Sequence, residues 1–425
     1  MFFVLISFGI RSGKPKGGIC ELAPTFAAAK IAKVTESSSA PVSMRLTRLQ
    51  LLDFKNHEEV EMEMCAQVNC LLGDNGTGKT NILDAVHYLG NAKGYFNPID
   101  SQNIRHGKGA FLVEGAFEVE SADGKVELDR VACAVAKGQK KVLKRNGKAY
   151  GKLADHVGRY PVVMIAPSDS VLVLDGSEVR RKWMDAVISQ YDRPYLDRLI
   201  QYHHLVQQRN LLLRYFAENR VWDEVQLAPW NEQMVPLAEA IAAERGRFLS
   251  EFTPEFQRIH EGLSGGQETV GLALHTKVLP GAFSEALGNA VEDDRRLRRS
   301  TVGIHKDDVD FRIGEYPLKR FGSQGQQKTF LLALRLAQVE HLARRVGRRP
   351  ILLLDDIFDK IDAHRAGALM KALGQSDFGQ VFISDTDGGR IPELLSNAGV
   401  SHASWWVDRG GVRPLGNQDN SASEP

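Results

Sequence analysis

A chain of 425 residues with 43% hydrophobic and 25% charged side chains has the composition of a soluble globular protein, with room for two or three compact units. A formal net charge of +1 excludes nucleic-acid binding through bulk charge, so any basic surface has to be local. Cys20, Cys65, Cys70 and Cys133 form no C-x-x-C pair, which argues against a zinc site or a disulfide framework and for a reducing cytoplasm.

The opening run MFFVLISFGI has no basic segment before it, is too short to span a bilayer and leads to no clear cleavage site. Residues 1–43 are therefore read as a disordered extension or a start placed too early. Met44 begins a natural first strand. Leu46, Leu49, Leu51 and Phe54 recur near period two, and Val60, Met62 and Met64 then alternate with Glu59, Glu61 and Glu63, which predicts strands over 44–72.

The short apolar run Val68–Leu72 leads into Gly73-Asp74-Asn75-Gly76-Thr77-Gly78-Lys79-Thr80, a full G-x-x-x-x-G-K-[ST] match between a strand and a helix over Thr80–Leu89. Glycines let backbone N–H groups converge on phosphates, and a helix N-terminus adds its positive end. Lys79 is expected to reach the β- and γ-phosphates of ATP and the Thr80 hydroxyl to ligate Mg²⁺.

Phe111, Val113, Gly115 and Phe117 alternate through a region of β-hairpins over 110–150, with turns at Ala122-Asp123-Gly124 and Arg145-Asn146-Gly147. Pro161–Ala166 is one more strand. From Ser177 to about Gly262 the pattern is helical, with Leu196, Leu199, Ile200 and Leu205 on one stripe. Residues 310–321 return to strand, and Phe330–Val346 is a helix.

Two stretches compete for one role. Leu263-Ser264-Gly265-Gly266-Gln267 spells L-S-G-G-Q, but Thr269, Val270 and Leu272 continue it as a strand, so it is read as a glycine turn. Ser323-Gln324-Gly325-Gln326-Gln327 precedes a helix and resembles the signature sequence of the ATP-binding-cassette superfamily. There a Ser N-cap and a close-approach glycine offer a helix N-terminus to phosphate. The resemblance implies that Ser323, Gly325 and Gln326 bind the γ-phosphate held by a partner subunit's P-loop.

Ile351-Leu352-Leu353-Leu354-Asp355-Asp356 predicts a strand buried on both faces that ends in two acids. Asp355 is expected to hold Mg²⁺ and Asp356 to polarise the attacking water. Phe358-Asp359-Lys360-Ile361-Asp362 falls where the superfamily has an interface-crossing loop. Ile383-Ser384-Asp385-Thr386-Asp387 ends a strand where relatives carry a switch histidine, so Thr386 or Asp387 is the candidate γ-phosphate sensor. The tail from Gly416 is polar.

These stretches together resemble the RecF family, bacterial DNA replication and repair ATPases related to Rad50 and SMC heads. The likeness rests on Asp53-Phe54-Lys55-Asn56, the P-loop followed by Asn81, Gln207-Gln208-Arg209-Asn210-Leu211-Leu212, Thr301-Val302-Gly303-Ile304-His305-Lys306-Asp307-Asp308, Ser323–Gln327 and Leu353–Asp356. It implies an α/β fold: an ABC-type P-loop ATPase head with a mixed-sheet lobe I and an inserted, mainly helical lobe II without a long coiled coil. Lobe I would comprise 44–165 and 345–414, lobe II 166–344, and 415–425 a disordered tail. The resemblance also implies an ATP-bound homodimer on DNA, a preference for double-stranded regions beside single-stranded gaps, and cooperation with RecO and RecR in loading RecA. Ile304 and Lys306 stand where the family has Pro and Arg; Lys keeps the charge but loses bidentate reach. Aspartate at 356, rather than the usual glutamate of cassette ATPases, predicts slow hydrolysis.

Three basic clusters are candidate DNA contacts: Lys137–Lys148, Arg180-Arg181-Lys182 and Arg295–Arg299. The first is preferred, through Lys140, Lys141, Lys144 and Arg145, because it holds no acid and strand alternation would place several cations on one side. With no base-reading motif, binding is expected to be sequence-independent and salt-sensitive. A transporter nucleotide-binding subunit, which would carry L-S-G-G-Q and a switch histidine, and an OLD-type nuclease-linked ATPase, which needs a further acidic domain, fit less well.

Overall fold

The computed structural model describes residues 41–121, 123–266, 268–358 and 378–415. The expectations for residues 1–40, Gln267, Asp359–Asp362 and the tail from Gly416 lie outside them.

β1 (Met44–Phe54), β2 (His57–Glu63), β3 (Val68–Leu72) and helix α1 (Lys79–Asn91) come first. They are followed by β4 (Ala110–Glu120), β5 (Val126–Ala136), β6 (Val142–Arg145), β7 (Lys148–Ala149) and β8 (Val162–Ile165). An antiparallel sheet of order β2-β1-β4-β5-β6-β7 forms one layer. The register of β1 against β4 slips between Leu46 and Arg48. That irregularity lets Leu46 and Leu49, three apart, both point inward; with Leu51 and Phe54 they are buried.

The chain then turns helical: α2 (Val171–Leu174), α3 (Ser177–Ser189), α4 (Arg193–Asn219) and α5 (Glu224–Ser264). The stripe predicted for α4 needs correcting. Leu199 and Leu205 are buried, but Ile200 is 52% exposed. The inward face instead carries Tyr195, Leu199, Tyr202, Val206, Arg209, Leu213 and Phe216, which follows the 3.6-residue repeat past two polar-type side chains that a hydrophobicity count passes over. Arg209 is tolerated inside because its Nη1 meets Asp294 at 2.6 Å, both side chains fully buried, and also donates to Ser300 Oγ, while its Nε donates to Asn231 Oδ1.

β9 (Val270–His275), α6 (Phe283–Asn289), α7 (Val291–Leu297), β10 (Asp308–Ile313) and β11 (Tyr316–Pro317) follow. β9, β10 and β11 form a small antiparallel sheet, so this part is helical with a sheet of its own. The strand predicted to run to 321 stops at Pro317, and Leu318–Phe321 is a short helix, α8; Pro317 immediately precedes its first turn, where a fixed φ suits helix entry. Next come α9 (Gln324–Val346), β12 (Ile351–Asp355), β13 (Val381–Asp385), α10 (Arg390–Asn397), β14 (His402–Asp408) and β15 (Gly411–Leu415).

The second large sheet has the order β15-β14-β3-β13-β12-β8, parallel throughout except at β15. Its two faces are both covered. Ile351 and Leu353 join the core around α1, while Leu352 and Leu354 join the core built from α3, α5 and α9. An unbroken apolar run over the first four residues of β12 is the result. α1 thus lies between the two six-stranded sheets, and α9 packs on the far side of the parallel one. This places the carboxyl ends of β3, β12 and β13 side by side at one edge.

Candidate nucleotide site

The loop Gly73–Thr80 joins β3 to α1 at that edge. Gly73 has φ +144° and Gly78 φ +121°, backbone that side-chain-bearing residues rarely adopt. A Cβ at Gly73 would lie 2.3 Å from Val407 O, and one at Gly78 2.7 Å from Asn56 Nδ2. The glycines are thus required both by conformation and by close approach. α1 starts with no side-chain cap and no acid in its first turn, leaving its N–H groups and positive dipole end for an anion. The Lys79 ammonium is buried and donates to Gly73 O at 2.6 Å and Asp74 O at 2.8 Å, which aims it across the loop's centre.

Thr80 Oγ1 donates to Asp355 Oδ1 at 2.8 Å, across 275 residues of sequence. Ser384 Oγ, at the end of the intervening β13, donates to the same oxygen at 2.8 Å and accepts from Asp356 N at 3.0 Å. Burial raises the Asp355 carboxyl above its ordinary pKa, while the hydroxyls of Ser384 and Thr80 oppose the rise. Asp356 follows with φ +45°, a left-handed turn that Asp accepts more readily than most residues. Among the described residues no group of three His, Cys, Asp or Glu is placed to hold a metal unaided. The pair Thr80–Asp355 fits a Mg²⁺ ion that takes most of its remaining ligands from water and phosphate.

In sequence the Asp53–Asn56 stretch carries only a family resemblance; in the fold its Asn56 braces the loop. Asn56 Nδ2 donates to Thr77 O at 2.9 Å and Asn56 Oδ1 accepts from Asn81 Nδ2 at 2.7 Å. His57 is fully buried, with Nδ1 2.7 Å from Gly410 O and Nε2 3.1 Å from Gly78 O. Burial holds its imidazole below the ordinary value despite those carbonyls. A cleft of about 650 Å³ opens beside the loop, lined by Lys55, Asn56, Asn103 and Arg105 among others. The local signal for this brace is two non-glycine residues with positive φ, Asp53 and Lys55. That conformation is invisible before the fold is known.

Ser323 caps α9. Its Oγ accepts from Gln326 N at 3.2 Å and its own N–H donates to Gln326 Oε1 at 2.6 Å, a reciprocal capping box. The helix begins at Gln324, earlier than the predicted start. The competing Leu263–Gly266 stretch instead ends α5: Gly265 has φ +73° and donates to Glu261 O. A helix carboxyl end presents carbonyls and a negative dipole end, which disfavours phosphate, whereas Ser323 stands at a helix N-terminus. Asp387 Oδ1 accepts from Gly389 N and Arg390 N at 2.9 and 3.2 Å, a capping duty that engages the candidate sensor's carboxylate.

Of the four preferred DNA contacts, Lys140 and Lys144 are exposed. Lys141 turns inward instead: its Nζ lies 2.9 Å from Asp100 Oδ2, donates to Ala92 O and sits 5.3 Å from the Tyr88 ring. Arg145 pairs with buried Asp129 at 2.8 Å. The expectation that alternation sets the cations on one side fails for these two, because Lys141 precedes β6 and Arg145 takes the inward side of it. In the second cluster Arg180 is bound to Asp308 and Lys182 to Glu178.

No helix among the described residues is long and apolar enough to cross a membrane. The family model for the RecF/RecN/SMC N terminal domain matches residues 45–404. The chain is 45% identical over 354 residues to the DNA replication and repair protein RecF of Flavobacterium johnsoniae, covering 83% of this chain and 97% of that one. It is 42% identical to the RecF of Phocaeicola vulgatus, over 87% and 98% of the two chains. A structure of the recombination mediator protein RecF with ATP superposes with TM-score 0.80 at 25% identity, covering 89% of this chain and all of that one. An Smc head domain from Pyrococcus furiosus shares the fold, with TM-score 0.51 at 15% identity. With these relatives and its ABC-type head fold, the chain belongs to the RecF family.

Proposed function

We propose that the chain is an ATP-operated DNA-binding switch of recombinational repair and replication restart, working in the bacterial cytoplasm. The observation that carries this reading is the Thr80–Asp355 hydrogen bond, since it unites the two motifs that a nucleotide–metal complex requires at one sheet edge. Gly73–Thr80 and Asn81 hold the phosphates and Lys79 neutralises charge on the β- and γ-groups. Thr80 and Asp355 would hold Mg²⁺, which when bound would withdraw charge from the phosphate oxygens. Asp356 orients the attacking water.

Ser323, Gly325 and Gln326 of a second copy close over the γ-phosphate. ATP thereby adds interface only in the paired state, and a ligand can shift an equilibrium only by its differential affinity for the two states. Hydrolysis is weak and DNA-stimulated, and it releases the pair. The DNA partner is duplex adjoining single strand, read through phosphates without base specificity. RecO- and RecR-type mediators cooperate with it in loading RecA.

The test measures self-association and DNA binding together, with and without a non-hydrolysable ATP analogue. The analogue is expected to promote pairing and to tighten DNA binding. Pairing that ignores the analogue, or DNA affinity that does, would refute the switch.

A further inference from the structure

Two basic stretches far apart in sequence, Arg180–Lys182 and Arg295–Arg299, converge on the loop Thr301–Asp308. Arg181 Nη1 donates to Asp307 O at 2.5 Å and to Ser177 Oγ at 2.6 Å, which fixes its guanidinium against that loop. Arg299 N donates to Asp294 O at 3.2 Å, one residue before the loop's anchor: Ser300 donates from N and Oγ to Asn210 Oδ1. Lys306 N donates to Gly303 O at 2.8 Å, and the neighbouring His305 ring lies 2.9 Å from Tyr202 OH and 3.2 Å from Ser300 O.

The loop is rigid from beneath. Arg245, almost wholly buried, reaches Asp307 Oδ2 at 2.7 Å, Asp185 at 2.9 Å and Ile304 O at 2.8 Å. The acids here are thus already committed: Asp307 and Asp185 to Arg245, Asp294 to Arg209, and Asp308 to Arg180. Arg299 and Lys306 are exposed, and among the described residues neither has a carboxylate within ion-pair distance. Partial desolvation of its stem, with Arg299 and Arg181 beside it, lowers the Lys306 ammonium from its ordinary value. Like charges held together on a braced loop, with local acids spent inside, make a surface that an anion would relieve.

We infer that Arg181, Arg299 and Lys306 form a contact site for the nucleic-acid phosphate backbone, on the helical part of the molecule and separate from the β6 hairpin. It rests on the DNA-binding reading above and names a surface for it. Backbone phosphate suits the site because Arg181 is fixed by its own chain, while the exposed Arg299 and Lys306 side chains are left to meet charges spaced along a strand. The site also lies close to the nucleotide machinery in sequence: β10 begins at Asp308, and β11 and α8 lead from it to Ser323.

The experiment is DNA binding by fluorescence anisotropy over a salt series, using the full chain with Arg299→Glu and Lys306→Glu together, on a duplex with a single-stranded extension. At moderate salt the affinity should fall by about tenfold or more, and the slope of log K against log salt should shrink by about 2, one unit per lost phosphate contact. Arg299→Gln with Lys306→Gln should lose less affinity but show the same reduced slope, and Lys306→Arg should retain wild-type binding. Thermal midpoint and ATP-analogue binding serve as folding controls, and the Gln pair decides the matter if the Glu pair misfolds. An unchanged affinity and slope, in variants that still bind the analogue, would overturn the site while leaving wild-type DNA binding intact. Absence of DNA binding by the wild type would overturn the reading beneath it as well.

Discussion

Gln326 Nε2 donates to Glu268 Oε1 at 2.7 Å, so the loop that follows α5 holds the loop that opens α9. Gln326 Oε1 meanwhile accepts from Ser323 N. One side chain therefore fixes Ser323 on one side and is itself fixed on the other. Removing a partly exposed hydrogen bond to a carboxylate costs about 1 kcal/mol net, or roughly fivefold in an equilibrium constant. Glu268→Ala should weaken ATP-analogue-dependent self-association by about that factor and leave the analogue's affinity for the single chain unchanged. Glu268→Gln, which keeps an acceptor, should sit near wild type. Sedimentation with and without the analogue reads both, and an unaltered association constant in Glu268→Ala would remove Glu268 from this role.

Asp356 sits at φ +45°, which decides how it should be tested. Asn tolerates left-handed backbone nearly as well as Asp, whereas Ala would add strain to the chemical loss. Asp356→Asn should abolish phosphate release while leaving an ATP-bound pair that persists. Lys79→Arg should keep part of the nucleotide affinity and lose hydrolysis, because a planar guanidinium cannot occupy the point between Gly73 O and Asp74 O where the ammonium lies. Turnover of either variant at the wild-type rate would contradict the assignment.

At Asp355 stability and function pull apart. Its carboxyl is raised by burial, so the folded chain holds that proton more tightly than the unfolded chain does. Its contribution is favourable at low pH and is lost as pH rises through the folded value. At neutral pH the buried charge is a cost. Asp355→Asn should therefore raise the thermal midpoint of the nucleotide-free protein, by about 1–2 °C given the size of the domain, while ending Mg²⁺-dependent hydrolysis. A lowered midpoint in the nucleotide-free variant would show that the hydroxyls of Thr80 and Ser384 outweigh the desolvation.

The legible parts of the site were those in which chemistry needs adjacent residues. Gly73–Thr80 and Leu352–Asp356 carry their expected chemistry in local spacing, and Val270 and Leu272, alternating as a strand does, set L-S-G-G-Q apart from a helix-opening signature. What was not legible depends on distant partners. Nothing near His57 announces that Gly410 O, 353 residues on, will receive its ring. Lys141 and Arg145 looked free because their acids, Asp100 and Asp129, lie elsewhere in the chain. A hydrophobic stripe misplaces the inward face of α4 at Ile200 because Arg209 and Tyr202 are core residues there. An arginine joins a core only when a buried acid awaits it, and Asp294 is 85 residues away.

Three histidines, His156 and His341 buried and His305 half-buried, predict an acid-labile fold. Burial depresses His156, His305 and His341 to about 4 from an ordinary 6.5. The unfolded chain therefore takes up protons between those values while the native chain does not. Each group contributes fully above pH 6.5 and loses its contribution as pH falls toward 4, with a slope of at most about 1.4 kcal/mol per pH unit for each proton. The denaturation midpoint should be flat from pH 8 to 7 and fall steeply from 6 to 5. His156→Gln should lessen that fall, since a glutamine amide cannot charge and can still donate to Leu89 O, where His156 Nε2 lies at 2.6 Å. A pH profile identical to wild type would clear His156 of responsibility.

The buried pair Arg209–Asp294 gives the Gln-Arg-Asn stretch on α4 a structural role. Arg209 joins α4 to α7 through Asp294, and Asn210 joins α4 to the loop after it through Ser300. Such a pair need not add net stability, since desolvating both charges costs about as much as their attraction returns. Breaking it from one side is different, because a naked carboxylate then remains inside. Arg209→Ala should destabilise by about 3–5 kcal/mol, whereas Arg209→Met with Asp294→Leu should recover much of the loss by filling the space without charge. Recovery of stability would leave Thr301 without the Asp294 Oδ1 acceptor that now holds its N–H and hydroxyl at 2.7 and 2.6 Å. The double variant should then fold well and still bind DNA less tightly than wild type, with urea unfolding and anisotropy as the two measurements. Equal DNA affinity in the recovered protein would mean that the pair serves packing alone and does not set the position of Arg299 and Lys306.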